Sequence, residues 1–510
     1  MLESDDIENT EVGSWVYLLT AAVAISGLLF GYDTGYISGA LVVIGDDLGR
    51  ELSNQDKSFI TSVTSIGALF GALLAGGAAD MFGRKWVIGA ADIIFIIGAL
   101  TQATAHGLWV MVLGRFVIGI GVGLASLITP LYLAELAPAK LRGRLIVVNV
   151  FCITLGQVTA FTIGAGLDLV SNGWRHIIWI GAIPATIQCI LLYWLPETPR
   201  YLIRVGNIVY AHQVIQRTYP SASSEEVDAK VSLIEQDVVS ADHLQGYVHL
   251  RHAFIETFKV PSNLRAVVIA CGLQAFQQLC AFNTLMYFAS TIFQLLGFDN
   301  PTATGLLTSG TNMIFTVIAF FLIDCVGRRR ILLYTIPVMS CGLVLASVGF
   351  HQLPLTSTLD SNGPKDPLWG VIILIAMATF VAAYATGIGN VPWQQSEFFP
   401  MRVRGIGVTM STATNWSANF LLSSTFLLLL DAITPAGTFA VYAGICGIGW
   451  LFVLFIYPET SGLSIEDVSI LLRNDFGVRK SSYRQLAQAD KRRQKKGKPS
   501  DHYHESINIL

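Results

Sequence analysis

A carboxylate inside an apolar run is the first residue to ask about. Asp33 sits in Phe30-Gly31-Tyr32-Asp33-Thr34-Gly35 and is the only charge between Trp15 and Val43. An ionisable side chain at membrane depth is costly, and it persists where it handles a proton, an ion or a partner charge. Arg115, at the start of the fourth apolar run, is the natural partner. A carboxyl beside a fixed cation can couple gain of a proton to a change of shape. The bland alternatives are an Asp capping its helix at the external interface and an Arg snorkelling to the membrane surface.

The other polar groups in apolar runs are amides: Gln157, Gln277, Gln278, Asn283, Asn312, Asn415 and Asn419. An amide supplies both a donor and an acceptor. That suits a solute with many hydroxyls and no charge. The competing role is hydrogen bonding between helices, common in membrane bundles. Residues 278 and 283 lie about 140° apart on a regular helix, so they share one site only if the helix breaks between them.

These residues must be held by membrane helices. The chain has 510 residues, 53% hydrophobic and only 13% charged. Soluble domains carry roughly 25% charge. A spanning helix needs about 20 apolar residues. Such spans are predicted at 15–38, 59–79, 86–105, 109–132, 147–167 and 176–195. After a polar stretch over 196–263 they resume at 264–292, 305–325, 331–350, 369–391, 408–430 and 436–457. The fold class is therefore an all-α membrane protein of twelve spans. It divides into a tail (1–14), a six-helix half (15–195), a middle loop (196–263), a second half (264–457) and a tail (458–510). The acidic start, Met1 to Glu11, lacks the basic region of a signal peptide, so the first apolar run is expected to stay in the membrane.

Lys and Arg set the orientation. With both termini inside, ten fall in short inner loops (Arg84, Lys85, Lys140, Arg142, Arg144, Arg328, Arg329, Arg330, Arg402, Arg404) and four outside (Arg50, Lys57, Arg175, Lys365). The basic tail would then face the cytoplasm. The seven cysteines form no C-x-x-C pair and read as core residues. No metal cluster, nucleophile motif or phosphate loop appears. No enzyme activity, metal, cofactor or nucleic-acid partner is expected. The oligomeric state stays open, with a monomer allowed.

The chain echoes itself. Glu135-x-x-Pro138-x-x-x-Arg142-Gly143 returns as Glu397-x-x-Pro400-x-x-x-Arg404-Gly405, and Pro196-Glu197-Thr198 as Pro458-Glu459-Thr460, both at an offset of 262. Asp80-x-x-Gly83-Arg84 returns as Asp324-x-x-Gly327-Arg328 at 244. Gln157 and Asn419 also differ by 262, which predicts equivalent positions in helices five and eleven. Two parallel six-helix repeats predict a solute site between the halves, near the bilayer midplane.

Over residues 15 to 470 these motifs resemble the major facilitator superfamily and, within it, the sugar porter family. Pro130-x-Tyr132-x-x-Glu135, Pro196-Glu197-Thr198-Pro199-Arg200 and Gln277-Gln278 carry the resemblance. Gly389 to Glu397, and Asn415-Trp416 onward, are similar to fungal myo-inositol transporters. The resemblance implies several roles. Asp33 and Arg115 match the proton-coupling pair. Helix seven is interrupted, so Gln277, Gln278 and Asn283 can share one site. Phe30, Tyr287, Trp393 and Trp416 match aromatic positions that meet the solute. Trp393 adjoins Gly387, Gly389 and Pro392, which interrupt its helix. Asp80, Arg84, Glu135, Arg142, Glu197, Asp324, Arg328, Glu397, Arg404 and Glu459 match an ion-pair network that joins the halves as a cytoplasmic gate. The chain departs from the family at Met81 and Cys325, at Ala281 where Gly is usual, and at Asn390 where hexose carriers have Pro. Asp92 has no assigned role.

The expectation is a plasma-membrane carrier that imports myo-inositol with a proton by alternating access. A hexose or other polyol symporter, a uniporter and a non-transporting nutrient sensor on the same fold are the alternatives.

Overall fold

The computed structural model describes residues 7, 10–138, 141–168, 170–242, 247–353, 367–400, 402–461, 468 and 470–478. The first half is six continuous helices: α1 (Trp15–Val43), α2 (Asn54–Phe82), α3 (Arg84–Ala103), α4 (Leu108–Leu136), α5 (Arg142–Leu167) and α6 (Gly173–Trp194). The middle segment is helical rather than an irregular loop. It forms α7 (Pro199–Arg204), α8 (Ile208–Thr218), α9 (Ser224–Asp242) and α10 (Tyr247–Lys259). Val214, Ile215, Tyr219 and Val227 of it are buried in one apolar cluster with Tyr132 and Leu136 of α4. The sequence hides this because these helices are polar outside and too short to show as spans.

The second half begins three residues earlier than expected, at α11 (Pro261–Leu279). It continues through α12 (Phe282–Tyr287), α13 (Ala289–Leu295), α14 (Pro301–Val326), α15 (Arg328–Gln352) and α16 (Pro367–Thr386). A 3₁₀ segment, Val391–Phe398, follows, then α17 (Arg404–Phe455). Among the described residues, eleven helices are long and apolar enough to cross a membrane. The last has 52 residues and turns at Ile433 and Thr434, where Thr434 has φ +67°. It therefore crosses twice, and twelve crossings result. Several helices outrun their apolar runs because polar residues cap them. Ser53 and Asp56 form a capping box that starts α2 at Asn54.

Within the halves, α1 packs on α5, α2 on α4, α3 on α4 and α6, α15 on α16, and α11 and α15 on α17. Small residues permit the closest of these approaches. A Cβ added at Gly67 or Gly71 of α2, or at Gly119 or Gly123 of α4, would run into the facing backbone. Between the halves, α17 packs on α2, α14 on α5, and α1 on α12 and α13. Phe70, Leu74, Ile93, Ile183, Phe321, Ile375 and Phe455 point outward. Such exposed apolar residues suit a lipid surround and not water.

Candidate functional site

Asp33 lies mid-helix in α1 and Arg115 two turns into α4, so neither caps nor snorkels. Their side chains are 4% and 0% exposed, and Arg115 Nη1 meets Asp33 Oδ1 at 2.6 Å. The same Nη1 donates to Tyr36 Oη at 3.0 Å, and Tyr36 Oη donates to Gln102 Oε1 at 3.0 Å. A buried pair of this kind tolerates loss of one partner badly. Tyr36 was not anticipated, although its place one turn beyond Asp33 was a usable signal.

Between the halves lies a cavity lined by residues of both. Its first-half wall is Phe30 of α1 with Val150, Ile153, Thr154 and Gln157 of α5. Its second-half wall includes Gln277, Gln278, Asn283, Asn312, Asn415 and Trp416. Among the described residues that line it, none carries a charged side chain. Polarity here comes from amides, as the residue types suggested.

The break that brings these amides together is visible. α11 stops at Leu279, Ala281 takes a left-handed φ of +69°, and α12 starts at Phe282. The chain thereby swings Asn283 back, and its Nδ2 donates to Gln278 Oε1 at 2.8 Å. Gln278 Nε2 donates to Asn415 Oδ1 at 3.2 Å. Asn415 Nδ2 donates to Gln277 Oε1 at 2.9 Å and to Gln274 Oε1 at 2.6 Å. Two contacts cross the cavity between the halves. Asn312 Nδ2 donates to Gln157 Oε1 at 2.8 Å, and the rings of Phe30 and Trp416 meet edge to face at 5.8 Å. Phe282 and Tyr384 stack at 3.8 Å in the wall.

Two expectations need correction. Asn419 and Tyr287 do not line the cavity. Asn419 stands one turn beyond Asn415 on α17, and its Nδ2 donates to Tyr287 Oη at 3.3 Å. The repeat that equates Gln157 with Asn419 thus holds for the helices and not for the cavity wall. The side chain of Trp393 lies outside the described residues. Four lining residues with polar side chains lie outside the candidate set: Thr154, Thr316, Tyr384 and Asn390. Asn390 Nδ2 is tied to the Ala385 carbonyl at 2.6 Å. Asp92 is buried in α3 beside Cys189.

The repeated charges have a local structural cause. Gly83 and Gly327 join α2 to α3 and α14 to α15 with φ of +93° and +97°. A Cβ on either would strike the carboxylate of Glu197 or Glu459. Glu197 accepts the backbone N–H groups of Arg84 at 3.0 Å and Lys85 at 3.1 Å, and Glu459 those of Arg328 at 3.0 Å and Arg329 at 3.1 Å. Each Glu caps the positive start of a helix. Burial pushes the Glu197 carboxyl above the usual range, and the hydrogen bonds from Thr198, Lys85 and Arg84 pull against it. Arg84 then pairs with Glu135 at 3.1 Å and Asp80 at 3.5 Å, and Arg328 pairs with Glu397. Arg404 Nε donates to the Phe399 carbonyl at 3.3 Å.

Between described residues, every one of these ion pairs stays within its own half. The expected network across the halves is absent among them. The side chains of Arg142 and Asp324 lie outside the described residues. The halves are instead tied at the opposite end. Ser290 N donates to Ser38 Oγ at 3.0 Å, and Asn54 Nδ2 reaches both oxygens of Asp431 at 3.0 and 2.9 Å.

Comparison with known proteins gives the same picture. The family described as sugar (and other) transporters matches residues 19–472. Myo-inositol transporter 1 of Cryptococcus neoformans is 47% identical over 475 residues, 92% of this chain and 83% of that protein. Myo-inositol transporter 1 of Saccharomyces cerevisiae is 44% identical, covering 95% of this chain and 83% of the relative. Among solved structures, the proton:xylose symporter XylE bound to 6-bromo-6-deoxy-D-glucose superposes with a TM-score of 0.74 at 27% identity, over 90% of this chain and 99% of that one. The inward open conformation of XylE from E. coli gives 0.73 at 27% identity, over 89% and 99%.

Proposed function

The chain belongs to the family of sugar (and other) transporters, and on that footing we propose that it imports myo-inositol together with a proton by alternating access. It is a multi-pass membrane carrier with the twelve-helix major facilitator fold. The observation that carries the reading is the uncharged, amide-lined cavity between the halves, set beside a buried Asp33–Arg115 pair. A cyclitol has hydroxyls all round its ring and no charge. It can replace the Asn312–Gln157 bond with bonds of its own to both amides, and its C–H face can rest on Trp416 or Phe30. The names of the relatives favour inositol over a hexose.

One helix carries three parts of the cycle. α1 holds Asp33, Phe30 of the cavity wall, and Ser38 of the contact to α13. A proton on Asp33 removes the charge that Arg115 pairs with. α1 is then released to shift against α12 and α13, where solute also acts. The Lys and Arg bias favours a cytoplasmic position for both termini and α7–α10. The Ser38 and Asn54 ties would then close the external side, while no ion pair between described residues joins the two charge clusters on the internal side. That arrangement is inward-facing. Pairing of the Arg84 and Arg328 clusters across the halves belongs to the outward-facing state. The plasma membrane is the site of action.

Purified protein in liposomes tests this directly. Preloaded myo-inositol should drive counter-flow of labelled myo-inositol, glucose should compete weakly, and an inward proton gradient should drive accumulation. Glucose exchange that outpaces inositol exchange would overturn the substrate. Accumulation that ignores the proton gradient would overturn the coupling.

A further inference from the structure

We propose that Tyr36 and Gln102 are positioning residues for the proton step: Gln102 takes the hydrogen bond of the Tyr36 hydroxyl, and so leaves the Asp33 carboxylate free to accept a proton. The inference rests on reading Asp33 and Arg115 as the proton-coupling pair.

Arg115 Nη1 donates to Asp33 Oδ1 at 2.6 Å and to Tyr36 Oη at 3.0 Å. A guanidinium can only donate, so Tyr36 Oη accepts here and its own single proton must go elsewhere. Gln102 Oε1 of α3, at 3.0 Å, receives it. The alternative acceptor is the Asp33 carboxyl, three residues back on α1 and itself a hydrogen-bonding neighbour of Tyr36. A bond donated there would favour the charged carboxylate and oppose its protonation. Gln102 thus removes a competitor for the transported proton. A hydroxyl that donates to Gln102 is also a stronger acceptor for Arg115. That matters once Asp33 is neutral, because the acceptors left to Arg115 are then Tyr36 Oη and the Ile60 carbonyl, 3.4 Å from Nε. Tyr36 is 2% exposed and Gln102 0%, so water does not take either place readily.

Among the described residues, the charged and titratable groups that face Asp33 are Arg115 of α4, Tyr36 of α1 and Tyr287 of α12. Tyr287 Oη is engaged by Asn419. Tyr32, next to Asp33 on α1, turns away and donates to the Ile177 carbonyl of α6 at 2.7 Å. Around this stretch α5 presents Ile153 and Gln157, α6 Gly181, α13 Ser290 and α14 Thr302, none of which titrates. A change made at Gln102 therefore reaches Asp33 through the Tyr36 hydroxyl. Gln102 Nε2 has no hydrogen-bond partner among the described residues. Its carbonyl end is the part in use, and an apolar residue of the same size strands no donor of its own.

The test is the external pH that gives half-maximal proton-driven uptake of labelled myo-inositol into liposomes, with each profile scaled to its own maximum. Scaling removes differences in protein amount, and general loosening of the fold does not move a midpoint in pH. Gln102→Met lets the Tyr36 hydroxyl turn to Asp33 and should lower the midpoint by about one pH unit, so that roughly tenfold more protons are needed. Gln102→Leu serves in its place if the Met variant does not fold. Tyr36→Phe should also lower the midpoint, because a neutral Asp33 then leaves Arg115 without that oxygen. Gln102→Met added to Tyr36→Phe should move it no further, since the hydroxyl through which Gln102 acts is gone. A midpoint that stays in place or rises in the Gln102 variant overturns the proposal; it would mean that the hydroxyl already points at Asp33 or never does. An undiminished further shift in the Tyr36→Phe background overturns it as well. Uptake by the parent that ignores the proton gradient overturns the coupling reading, and the proposal with it.

Discussion

The two halves share their motifs and differ in their helices. In the first half every crossing is one continuous helix, and it houses the buried Asp33–Arg115 pair. In the second half two crossings are broken, at Cys280–Ala281 and after Thr386, and the breaks surround the amide cluster. A charge pair needs a rigid frame, because a small displacement leaves a buried charge without its partner. A solute with many hydroxyls needs backbone and amides that can be re-aimed, and non-helical backbone at membrane depth survives where it lines a cavity. On the proposed function, the proton would belong to the stiff half and the solute chiefly to the jointed one.

That division can be broken in several ways. Asp33→Asn should abolish uphill accumulation of solute while sparing exchange, read as the accumulation ratio under an imposed proton gradient. A variant that still concentrates solute removes Asp33 from the coupling. Arg115→Met should lower stability by about 3–5 kcal/mol, since it strands a buried carboxylate. Adding Asp33→Asn should recover much of that loss, as followed by thermal unfolding in detergent. Asn415→Ala, by contrast, should raise KM for solute about tenfold or more while leaving the proton-to-solute ratio intact. A changed ratio would mean that the halves do not divide the labour. Gly83→Ala and Gly327→Ala should each cost about 1–3 kcal/mol, because both need positive φ and both would strike a capping glutamate. Unequal costs would show that the matched junctions bear different loads. Smallest, and opposite in sign, Ala281→Gly should stabilise the protein by about 1 kcal/mol by relieving a left-handed alanine.

The sequence revealed what rests on composition and repetition. Twelve crossings follow from apolar length, and the halves from three echoes in order. Asp33 and Arg115 stood out because charge is rare in such runs, and their pairing is direct. The repeated Glu197 and Glu459 read as gate charges. Their first task is to cap α3 and α15 beside a glycine, which no charge count reveals. Gln274 was legible in principle, one turn before Gln278 on the same helix. Gln395 was not, because it reaches Gln274 only after the chain has left α16 and bent into a 3₁₀ segment. Asn419 misled for the opposite reason. Sequence symmetry locates a helix, but a step of one turn along it decides between cavity and packing. The middle segment escaped because its short amphipathic helices bury apolar residues in a cluster shared with α4 and show no long apolar run.

The uncharged lining of the cavity has an electrical consequence. A neutral solute that crosses with one proton moves one net positive charge inward per cycle. Membrane voltage then drives the carrier directly, with about 2.3 kcal/mol for each 100 mV, inside negative. At equilibrium that alone sustains a concentration ratio of roughly 50. A charge fixed in the lining would return with the carrier each cycle and add nothing to this sum, so only a charged solute could cancel the current. If the plain amides of α11, α14 and α17 select a neutral solute as proposed, they leave the proton's charge uncompensated and the transport cycle open to the cell's voltage.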